Sequence, residues 1–439
     1  MVDRIFQQQD CVAWGQLPGK KRKVGTSRWG GSEAVMVAML FSARPVLRDL
    51  ALLFACVPMV YYVIAMLATV RFFSRERKKT LGTYTPPASI LKAVRGVDFA
   101  SYENFQSFCL QDYPDYEILF CVNELDDPAV PLIWRLVAEY PERTIRLYSN
   151  APQIGSNRKV NNLALLACQA KYELLVQSDG DVRVGPSYLR EMAAPFEHAE
   201  TGVLSCLYGG VTQKNIWAEI EALGAATDFS ASVLVADWTE GVTFALGASV
   251  ATTKTWLTKI GGYEALAKVL ADDYEIGNRV AKAGGRVIVS REVVATMYPA
   301  TTFAEFWQHQ LRWARTVRLC RPASYVGLLF THGLFWAMIG ALLSNSASGA
   351  ASFLMAYLVL RLALAWIAGV WGLRDETARR KLWLVPLRDA IHFAVWIGSF
   401  FSNRITWGDA EFRLAGNGEM VAASAAKNKK DAAKPIQAG

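Results

Sequence analysis

The chain has 439 residues, long enough for one large domain with additions or for two domains. Hydrophobic residues make up 52% of it, a high share that points to a membrane component. The formal net charge is +8, but lysine and arginine cluster beside apolar segments. This distribution argues against a basic stripe for nucleic acid and suits anionic lipid headgroups or a phosphorylated substrate. The seven cysteines include no C-x-x-C pair, so neither a zinc site nor a disulfide framework is predicted.

The N-terminal region combines a polar tail with one long apolar segment. Residues 1–45 are polar and irregular, and we predict a disordered tail there. The segment DLALLFACVPMVYYVIAMLATV (49–70) has no charge after Asp49 and can cross the ~30 Å hydrocarbon core, which needs about 20 residues. We therefore place a transmembrane helix at 46–72. The basic run RFFSRERKK follows, and the positive-inside rule puts this flank and the next domain in the cytosol.

Residues 73–322 have the pattern of a soluble cytosolic domain. Helical patterns, for example at 129–139 and 160–168, alternate there with short apolar runs. Six of these runs predict β-strands: ASILKAV (88–94), YEILFCV (116–122), RTIRLYS (143–149), YELLVQS (172–178), TGVLSCL (201–207) and GRVIVS (285–290). The alternation predicts an α/β fold with a mostly parallel sheet and helices on both faces. Ligands in such sheets bind at the carboxyl ends of the strands.

The C-terminal third is apolar again, and we assign residues 323–403 to transmembrane or interfacial helices. Segments 324–343 and 351–371 are each long enough to span a membrane. Arg361 lies inside the second of them, where it is costly in lipid unless it faces protein or reaches the interface.

A third apolar stretch, 384–402, contains Arg388, Asp389 and His392. It either spans the membrane or lies in its interface, and the sequence leaves both possibilities open. Residues 404–439 form a predicted C-terminal tail. The whole pattern predicts a multi-pass integral membrane protein, in the inner membrane if the source is bacterial.

Two aspartates, Asp179 and Asp181, follow the predicted strand YELLVQS one residue apart. Such a pair can direct both carboxylates toward one cation, and Mg²⁺ and Mn²⁺ prefer oxygen ligands and bridge substrate phosphates. The alternative is a polar turn that closes the strand, because D-G-D is a common turn sequence.

Two further acidic pairs stand at the ends of predicted elements. Asp126 and Asp127 follow the strand YEILFCV, where a carboxylate can accept a hydrogen bond from a uracil or a ribose. A helix N-cap is the alternative, because Asp127 precedes Pro128 and a helical pattern. Asp272 and Asp273 open another helical pattern, either as capping residues or with one of them as a general base.

The sequence FWQHQLRWARTVRLCRP contains an H-x-x-R-W pattern at His309, Arg312 and Trp313. Arg312, Arg315 and Arg318 recur every three residues and would share one helix face, which could bind phosphate. The alternative is a basic helix that rests on anionic lipid.

Two glycine-rich stretches, CLYGG (206–210) and LGASVATTK (246–254), look like loops near a ligand. Neither matches a known phosphate-binding fingerprint, so they carry little weight.

The chain resembles the ceramide glucosyltransferases and their bacterial relatives in four motifs that occur in the same order: DDPA (126–129), SDGDVRV (178–184), ADDY (271–274) and HQLRW (309–313). Other matching stretches are ILKAVRGVD (90–98), GSNRKVNNL (155–163) and ITWGDAEFRL (405–414). The resemblance covers roughly residues 50–415. It implies an inverting, metal-dependent GT-A glycosyltransferase of the processive-synthase type.

The resemblance also implies how the donor is bound. Asp127 would contact the uridine of a UDP-sugar, and Lys159 and Asn162 would shape the donor pocket. Asp179 and Asp181 would hold Mg²⁺ or Mn²⁺ on the diphosphate.

The remaining roles concern the transfer itself. Asp273 would be the general base that takes the proton of the acceptor hydroxyl. His309, Arg312 and Trp313 would stand near the diphosphate and the acceptor, where the family has a Q/R-x-x-R-W motif. His309 in the first position is similar to the bacterial relatives that glycosylate hopanoids, and the D-G-D motif also favours the bacterial branch.

The predicted function is transfer of a sugar, with glucose preferred, from a UDP-sugar to the hydroxyl of a ceramide-type lipid at the bilayer, with no nucleic-acid partner. The alternatives are a UDP-N-acetylglucosamine-dependent hopanoid glycosyltransferase, a processive polysaccharide synthase and a non-enzymatic membrane scaffold. At most four candidate spans disfavour the synthase, which needs a channel for its polymer. The scaffold leaves the acidic strand and helix ends unexplained.

Overall fold

The computed structural model describes residues 30–74, 83–407, 410–416 and 418–422. Residues 1–29 of the predicted tail lie outside these ranges. Residues 30–45, predicted to be irregular, instead begin the long helix α1 (Gly30–Ser74). This part of the helix contains three alanines and two methionines, which favour helix over irregular backbone.

The chain divides within α1 into two structural units, Met1–Leu50 and Ala51–Gly439. The segment Pro45–Ser74 is apolar and long enough to cross a membrane, as predicted for 46–72.

A mixed eight-stranded sheet forms the centre of the second unit. Its strand order is β3-β2-β1-β4-β7-β6-β8-β5. The strands are β1 (Ala88–Ala93), β2 (Tyr116–Val122), β3 (Thr144–Ser149), β4 (Leu174–Ser178), β5 (Val182–Arg183), β6 (Thr201–Thr212), β7 (Ser249–Thr253) and β8 (Arg286–Tyr298). Among the described residues four of the seven strand pairings are parallel, which confirms the predicted α/β class.

Two of these strands differ from the sequence prediction. The stretch 246–254 was predicted as a loop, but it contains β7, which pairs antiparallel with β4 and β6. The stretch 206–210 likewise lies inside β6. Both stretches are rich in glycine and other small residues, so neither carries the strong apolar signal of the other strands.

Helices cover both faces of the sheet. Ile90 and Ile118 face one core cluster, whereas their neighbours Leu91 and Leu119 face a second cluster on the opposite side. Burial on both faces explains why β1, β2 and β4 are mostly apolar. The helices of this domain are α2 (Ser101–Cys109), α3 (Ala129–Glu139), α4 (Arg158–Gln169), α5 (Tyr188–Ala193), α6 (Ile216–Gly224), α7 (Ser230–Thr239), α8 (Lys254–Lys259) and α9 (Asp272–Lys282).

A short π-helix, Ala225–Phe229, joins α6 to α7. Beyond β8 the chain is helical again. These helices are α10 (Phe303–Cys320), α11 (Pro322–Gly327), α12 (Gly333–Leu343), α13 (Ala347–Ala365), α14 (Glu376–Lys381) and α15 (Val385–Ser399).

The C-terminal helices differ in part from the predicted spans. Ala347–Gly372 is apolar and long enough to cross a membrane, as predicted for 351–371. The predicted span 324–343 is broken, because Pro322–Thr331 and Gly333–Leu343 meet at an angle of 49°. Helix α15 has 15 residues, fewer than the ~20 that a span needs. Arg361 faces protein, with 2% of its surface exposed.

The predicted tail begins with a three-stranded antiparallel sheet of β9 (Arg404–Trp407), β10 (Ala410–Leu414) and β11 (Met420–Ala422). This sheet lies against the α/β domain: the backbone N–H of Met420 donates to the carbonyl of Lys268 at 2.7 Å, and Ser156 Oγ donates to the carbonyl of Met420 at 3.0 Å. The described residues of this segment thus contact the α/β domain directly. Residues 423–439 lie outside the described ranges.

Candidate active site

Asp179 and Asp181 stand on the turn between β4 and β5, and hydrogen bonds tie this turn to residues next to β7 and in β8. The backbone N–H of Asp179 donates to the carbonyl of Ala248, just before β7, at 3.2 Å. The carbonyl of Asp181 accepts from the backbone N–H of Met297 in β8 at 3.0 Å. The two carboxylates therefore stand on a turn, as the D-G-D sequence predicts. Backbone hydrogen bonds to Ala248 and Met297 hold this turn at both ends.

Lys159 links this turn to the start of α9. Its Nζ lies 2.6 Å from Asp179 Oδ1 and 4.0 Å from Asp272 Oδ2. Burial by itself would lower the pKa of Lys159, but Asp179, Asp272 and Asp273 together raise it above its usual value. The N-cap Asn157, which accepts from the backbone N–H of Val160, begins α4 and so places Lys159 in its first turn.

Asp273 is the half-buried member of the pair that opens α9, while Asp272 is only 4% exposed. Burial, followed by the Asp272 carboxylate, raises the pKa of Asp273 to about 7. Gly247 faces the Asp273 carboxylate, because a Cβ on this glycine would lie 2.5 Å from Oδ2. The N-cap residue Ala271 offers no side-chain cap. Asp273 thus combines access to the surface with a pKa suited to proton transfer near neutral pH.

Lys92 is a buried member of the site that the sequence analysis missed. Its Nζ donates to the carbonyl of Asp179 at 2.8 Å and lies 3.8 Å from the centre of the Phe108 ring. Burial lowers its pKa to about 7, although Asp179 and Asp181 oppose that shift. The sequence feature that could have revealed Lys92 is a single lysine inside the apolar run ILKAV.

The pair Asp179 and Asp181 fits a divalent cation. Burial, followed by repulsion from Asp179, raises the pKa of Asp181 to about 7, so a cation between the two would favour their ionised forms. No three His, Cys, Asp or Glu side chains within the described ranges are grouped to hold a metal by themselves. Mg²⁺ in phosphate-binding sites is commonly held by one or two carboxylates, with phosphate oxygens and water completing its shell.

Asp127 and Asn162 lie at the ends of β1 and β2. The Asp127 carboxylate accepts from the backbone N–H groups of Gly96 at 3.0 Å and Ala129 at 2.9 Å. It therefore caps the first turn of α3 and also holds the loop after β1. Asn162 Nδ2 donates to Asn123 Oδ1 at 3.2 Å, just beyond β2.

The H-x-x-R-W pattern lies on α10 and is fixed by a partner from α6. His309 Nδ1 bonds to Glu221, and Trp313 Nε1 donates to His309 Nε2 at 3.1 Å. The indole N–H therefore requires Nε2 to be the acceptor. The Arg312 side chain makes no hydrogen bond or ion pair within the part of the chain that the structure describes, and burial lowers its pKa although Glu221 opposes this.

The predicted three-arginine face does not act as one surface. Arg315 Nη1 donates to the carbonyl of Arg404 at 2.5 Å, and Arg318 donates to Asn403. These two contacts attach the C-terminal segment to α10. Phosphate binding by the three-arginine face stays a prediction, and two of its members also serve this attachment, which helical spacing alone does not reveal.

Tyr208 lies between α10 and the acidic cluster, which consists of Asp179, Asp181 and Asp273. Its ring stacks on Phe229 with 5.5 Å between centroids, and Phe229 contacts the Trp313 ring edge-on at 6.2 Å. Burial raises the pKa of Tyr208, and carboxylates on both sides, among them Asp273 and Glu221, raise it further. The site residues predicted from the sequence thus gather on the side of the sheet where β1, β2 and β4 end.

The chain is similar to several known glycosyltransferases. Ceramide glucosyltransferase 3 from Caenorhabditis elegans is 25% identical over 370 residues, which is 76% of this chain and 74% of that protein. Ceramide glucosyltransferase 1 from the same organism is 25% identical over 290 residues, or 64% of this chain and 62% of that protein.

Among solved structures, a mannosyltransferase from Pyrobaculum calidifontis in complex with GDP-Man and Mn²⁺ is 16% identical, with a TM-score of 0.48. The match covers 81% of this chain and 99% of that one. Residues 50–420 match the family described as glycosyl transferase family 21. This match includes the α/β domain and every predicted site residue, and the chain belongs to glycosyl transferase family 21.

Proposed function

We propose that this glycosyltransferase moves one sugar, with glucose preferred, from a UDP-sugar to a hydroxyl group of a ceramide-type membrane lipid, with inversion at the anomeric carbon. The observation that carries the proposal is the position of Asp273, a half-buried carboxylate with a raised pKa beside Lys159 and the Asp179 turn. A UDP-N-acetylglucosamine-dependent transfer to a hopanoid is the second candidate, and the histidine at position 309 favours it.

In the proposed reaction the acceptor oxygen forms a bond to the anomeric carbon while the bond from that carbon to UDP breaks. Asp273 accepts the proton of the acceptor hydroxyl, and UDP leaves with the bonding electrons. Arg312, which is partly buried and unpaired among the described residues, would stabilise the negative charge that develops on the diphosphate. His309 and Trp313 would line the site beside it.

The donor would lie across the carboxyl ends of β1, β2 and β4. Asp127 and Asn162 stand at the end of this groove where the uridine would bind, and Lys159 stands near the diphosphate. When bound there, Mg²⁺ or Mn²⁺ supplies positive charge to the leaving diphosphate, and Asp179 and Asp181 are the residues that would hold it.

The apolar helices would keep this site at the bilayer surface, where a lipid hydroxyl is available. Within the described ranges two helices are apolar enough to span a membrane, and the bent pair around His332 is a third candidate. The basic residues after α1 favour a cytosolic α/β domain in a multi-pass protein. So few spans disfavour a channel for a growing polymer, the product expected of a processive synthase.

A donor and acceptor screen tests the proposal. The full-length protein in detergent would receive UDP-glucose, UDP-galactose or UDP-N-acetylglucosamine together with ceramide, diacylglycerol or a polyhydroxylated hopanoid, with Mn²⁺ or with EDTA. Mass spectrometry should find a metal-dependent lipid product with one added sugar, and an Asp273→Asn protein should not form it. A polymer product would favour the synthase, and no glycolipid from any pair despite UDP-sugar binding would overturn the lipid acceptor.

A further inference from the structure

A second polar site lies among the apolar helices, away from the acidic cluster. It is a cavity of about 210 Å³ that the beginning of α12, α13, α15 and the later part of α1 enclose. One water molecule needs only ~15 Å³ of such space, so the cavity can hold a much larger group. Its lining combines apolar side chains with Asp228, His332, Arg361, Arg388 and Asp389. Ionisable residues among membrane-spanning helices commonly mark a functional site.

The charges around this cavity compensate each other. Arg361 binds Asp389 through two hydrogen bonds of 2.9 and 3.0 Å. Arg388 Nη1 lies 2.8 Å from Asp228 Oδ2, and His392 Nδ1 lies 3.5 Å from the same oxygen. Since both arginines are matched by a carboxylate, the cavity has no spare positive charge for an anion. It suits an uncharged polar group.

One polar atom of the lining has no partner. His332 is 7% exposed, and its Nε2 makes no hydrogen bond within the described part of the chain. A buried polar atom in this state costs free energy unless a ligand or water satisfies it. His332 stands at the break between α11 and α12, so the bend places a hydrogen-bonding group at the cavity wall.

The cavity opens toward the outer surface of the apolar helices. Met338 on α12 is 51% exposed, and Ala390 on α15 is also exposed, yet both line the cavity. Both helices belong to the part of the chain that would lie in or at the bilayer. A lipid could therefore reach the cavity sideways, without passing through water.

The cavity is also connected to the candidate active site. Asp228 directly precedes Phe229, whose ring contacts Trp313. Arg388 packs against Gly224, because a Cβ there would lie 2.7 Å from Nε, and Gly224 is one turn from Glu221, the partner of His309. The helix α6 and the π-helix after it thus touch both sites.

We propose that this cavity is an entry position for the membrane lipid that accepts the sugar: it binds the uncharged polar end of that lipid, with its hydroxyl and amide groups, before the hydroxyl moves on to Asp273. The identification of this lipid as the acceptor rests on the proposed function. His332 Nε2 supplies one hydrogen bond to that polar end, and the mouth between Met338 and Ala390 leaves the acyl chains in the bilayer.

Photolabelling tests lipid binding independently of catalysis. The full-length protein in phosphatidylcholine nanodiscs would be irradiated with a ceramide that carries a diazirine beside the amide, and the labelled peptides would be mapped. We expect label within 331–338 or 388–393, with competition by unlabelled ceramide but not by phosphatidylserine. Label elsewhere, or competition by phosphatidylserine alone, would overturn the proposal. Because no sugar is transferred, this result stands even if the proposed reaction fails.

Matched variants on α15 test whether the cavity serves the reaction. Ala390→Trp would fill the mouth, whereas Ala394→Trp puts the same side chain one turn later at an exposed position outside the cavity lining. We expect Ala390→Trp to remove the label and to raise the KM for ceramide roughly tenfold, the scale of one lost buried contact, with the KM for the UDP-sugar unchanged. Equal values in the two variants would contradict the proposal.

A second pair of variants keeps the test valid if Ala390→Trp fails to fold. His332→Leu removes the unpartnered nitrogen, and His332→Gln replaces it with another hydrogen-bonding group. The leucine variant should raise the KM for ceramide, and the glutamine variant should restore part of the loss. If both behave like the wild type, His332 does not contact the lipid.

Discussion

Gly247 lies against the carboxylate of Asp273, so that a Cβ at position 247 would be 2.5 Å from Oδ2. We predict that Gly247→Ala displaces this carboxylate and lowers kcat about 10²-fold, because a shift of ~1 Å in a reacting group has an effect of this size. Steady-state kinetics with the preferred UDP-sugar and lipid would measure the change.

Gly416→Ala is the matched control for this change. No atom would lie within 4 Å of a Cβ at position 416, and its φ is not in the left-handed region. The control should retain the kcat of the wild type. A Gly247→Ala enzyme with normal kcat would show that the position of Asp273 does not matter for the reaction.

The pKa of Asp273 gives a second prediction. Burial and the Asp272 carboxylate raise this pKa to about 7. Below that pH Asp273 carries a proton and cannot accept another one, and above it the carboxylate is free to act as a base. Therefore kcat/KM should rise with pH and reach half of its maximum near pH 7 in the free enzyme.

The exposed residue Asp126 provides the control for the pH profile. Asp126→Asn should keep the rise with pH, whereas the residual activity of Asp273→Asn should lose it. A profile of the wild type that is flat from about pH 6 to 8 would exclude Asp273 as the base.

The strands show which parts of the fold the sequence could reveal. Strands β1, β2, β4 and β6 carry apolar runs because they are buried on both faces, and they were predicted together with the less buried strands β3 and β8. Strand β7 was missed because its residues, SVATT, are small or polar and it is held by pairing with β4 and β6. Strand β5 has two residues, too few to give a pattern.

Some residues of the candidate site could likewise be predicted from the sequence, and others could not. The acidic residues could be selected as site candidates because they follow strands closely or stand at the start of a helix. The contacts of Lys92 with Asp179 and of His309 with Glu221 join residues 87 and 88 positions apart, and no local pattern contains them. Gly247 was noted only as part of a glycine-rich stretch, since its contact with Asp273 depends on the folded structure.

The carboxylate pair gives a third prediction, which concerns the metal. Asp179→Asn and Asp181→Asn keep the size of the side chains but remove the charge that a divalent cation needs. Titration calorimetry should show that Mn²⁺ strengthens UDP binding to the wild type and to Asp126→Asn. In the two site variants UDP affinity should be the same with Mn²⁺ and with EDTA. Retained Mn²⁺ dependence in both would exclude the pair as metal ligands.

The arginines of α10 give a fourth prediction, because the structure separates two roles on one helix. The side chain of Arg312 makes no hydrogen bond within the described ranges, whereas that of Arg318 bonds to Asn403 and to the carbonyl of Ser402. Arg312→Ala should lower kcat by about 10²-fold or more without changing Tm, because it removes charge stabilisation from the leaving diphosphate.

Arg318→Ala should have the opposite effect. It would weaken the attachment of the C-terminal segment by about 1.5–3 kcal/mol, the range for hydrogen bonds to charged groups, and so lower Tm while kcat is retained. Thermal unfolding of the purified proteins, measured beside their kinetics, compares the two variants directly. If Arg312→Ala lowers Tm as much as Arg318→Ala and keeps its kcat, Arg312 holds the structure together and does not contact the diphosphate.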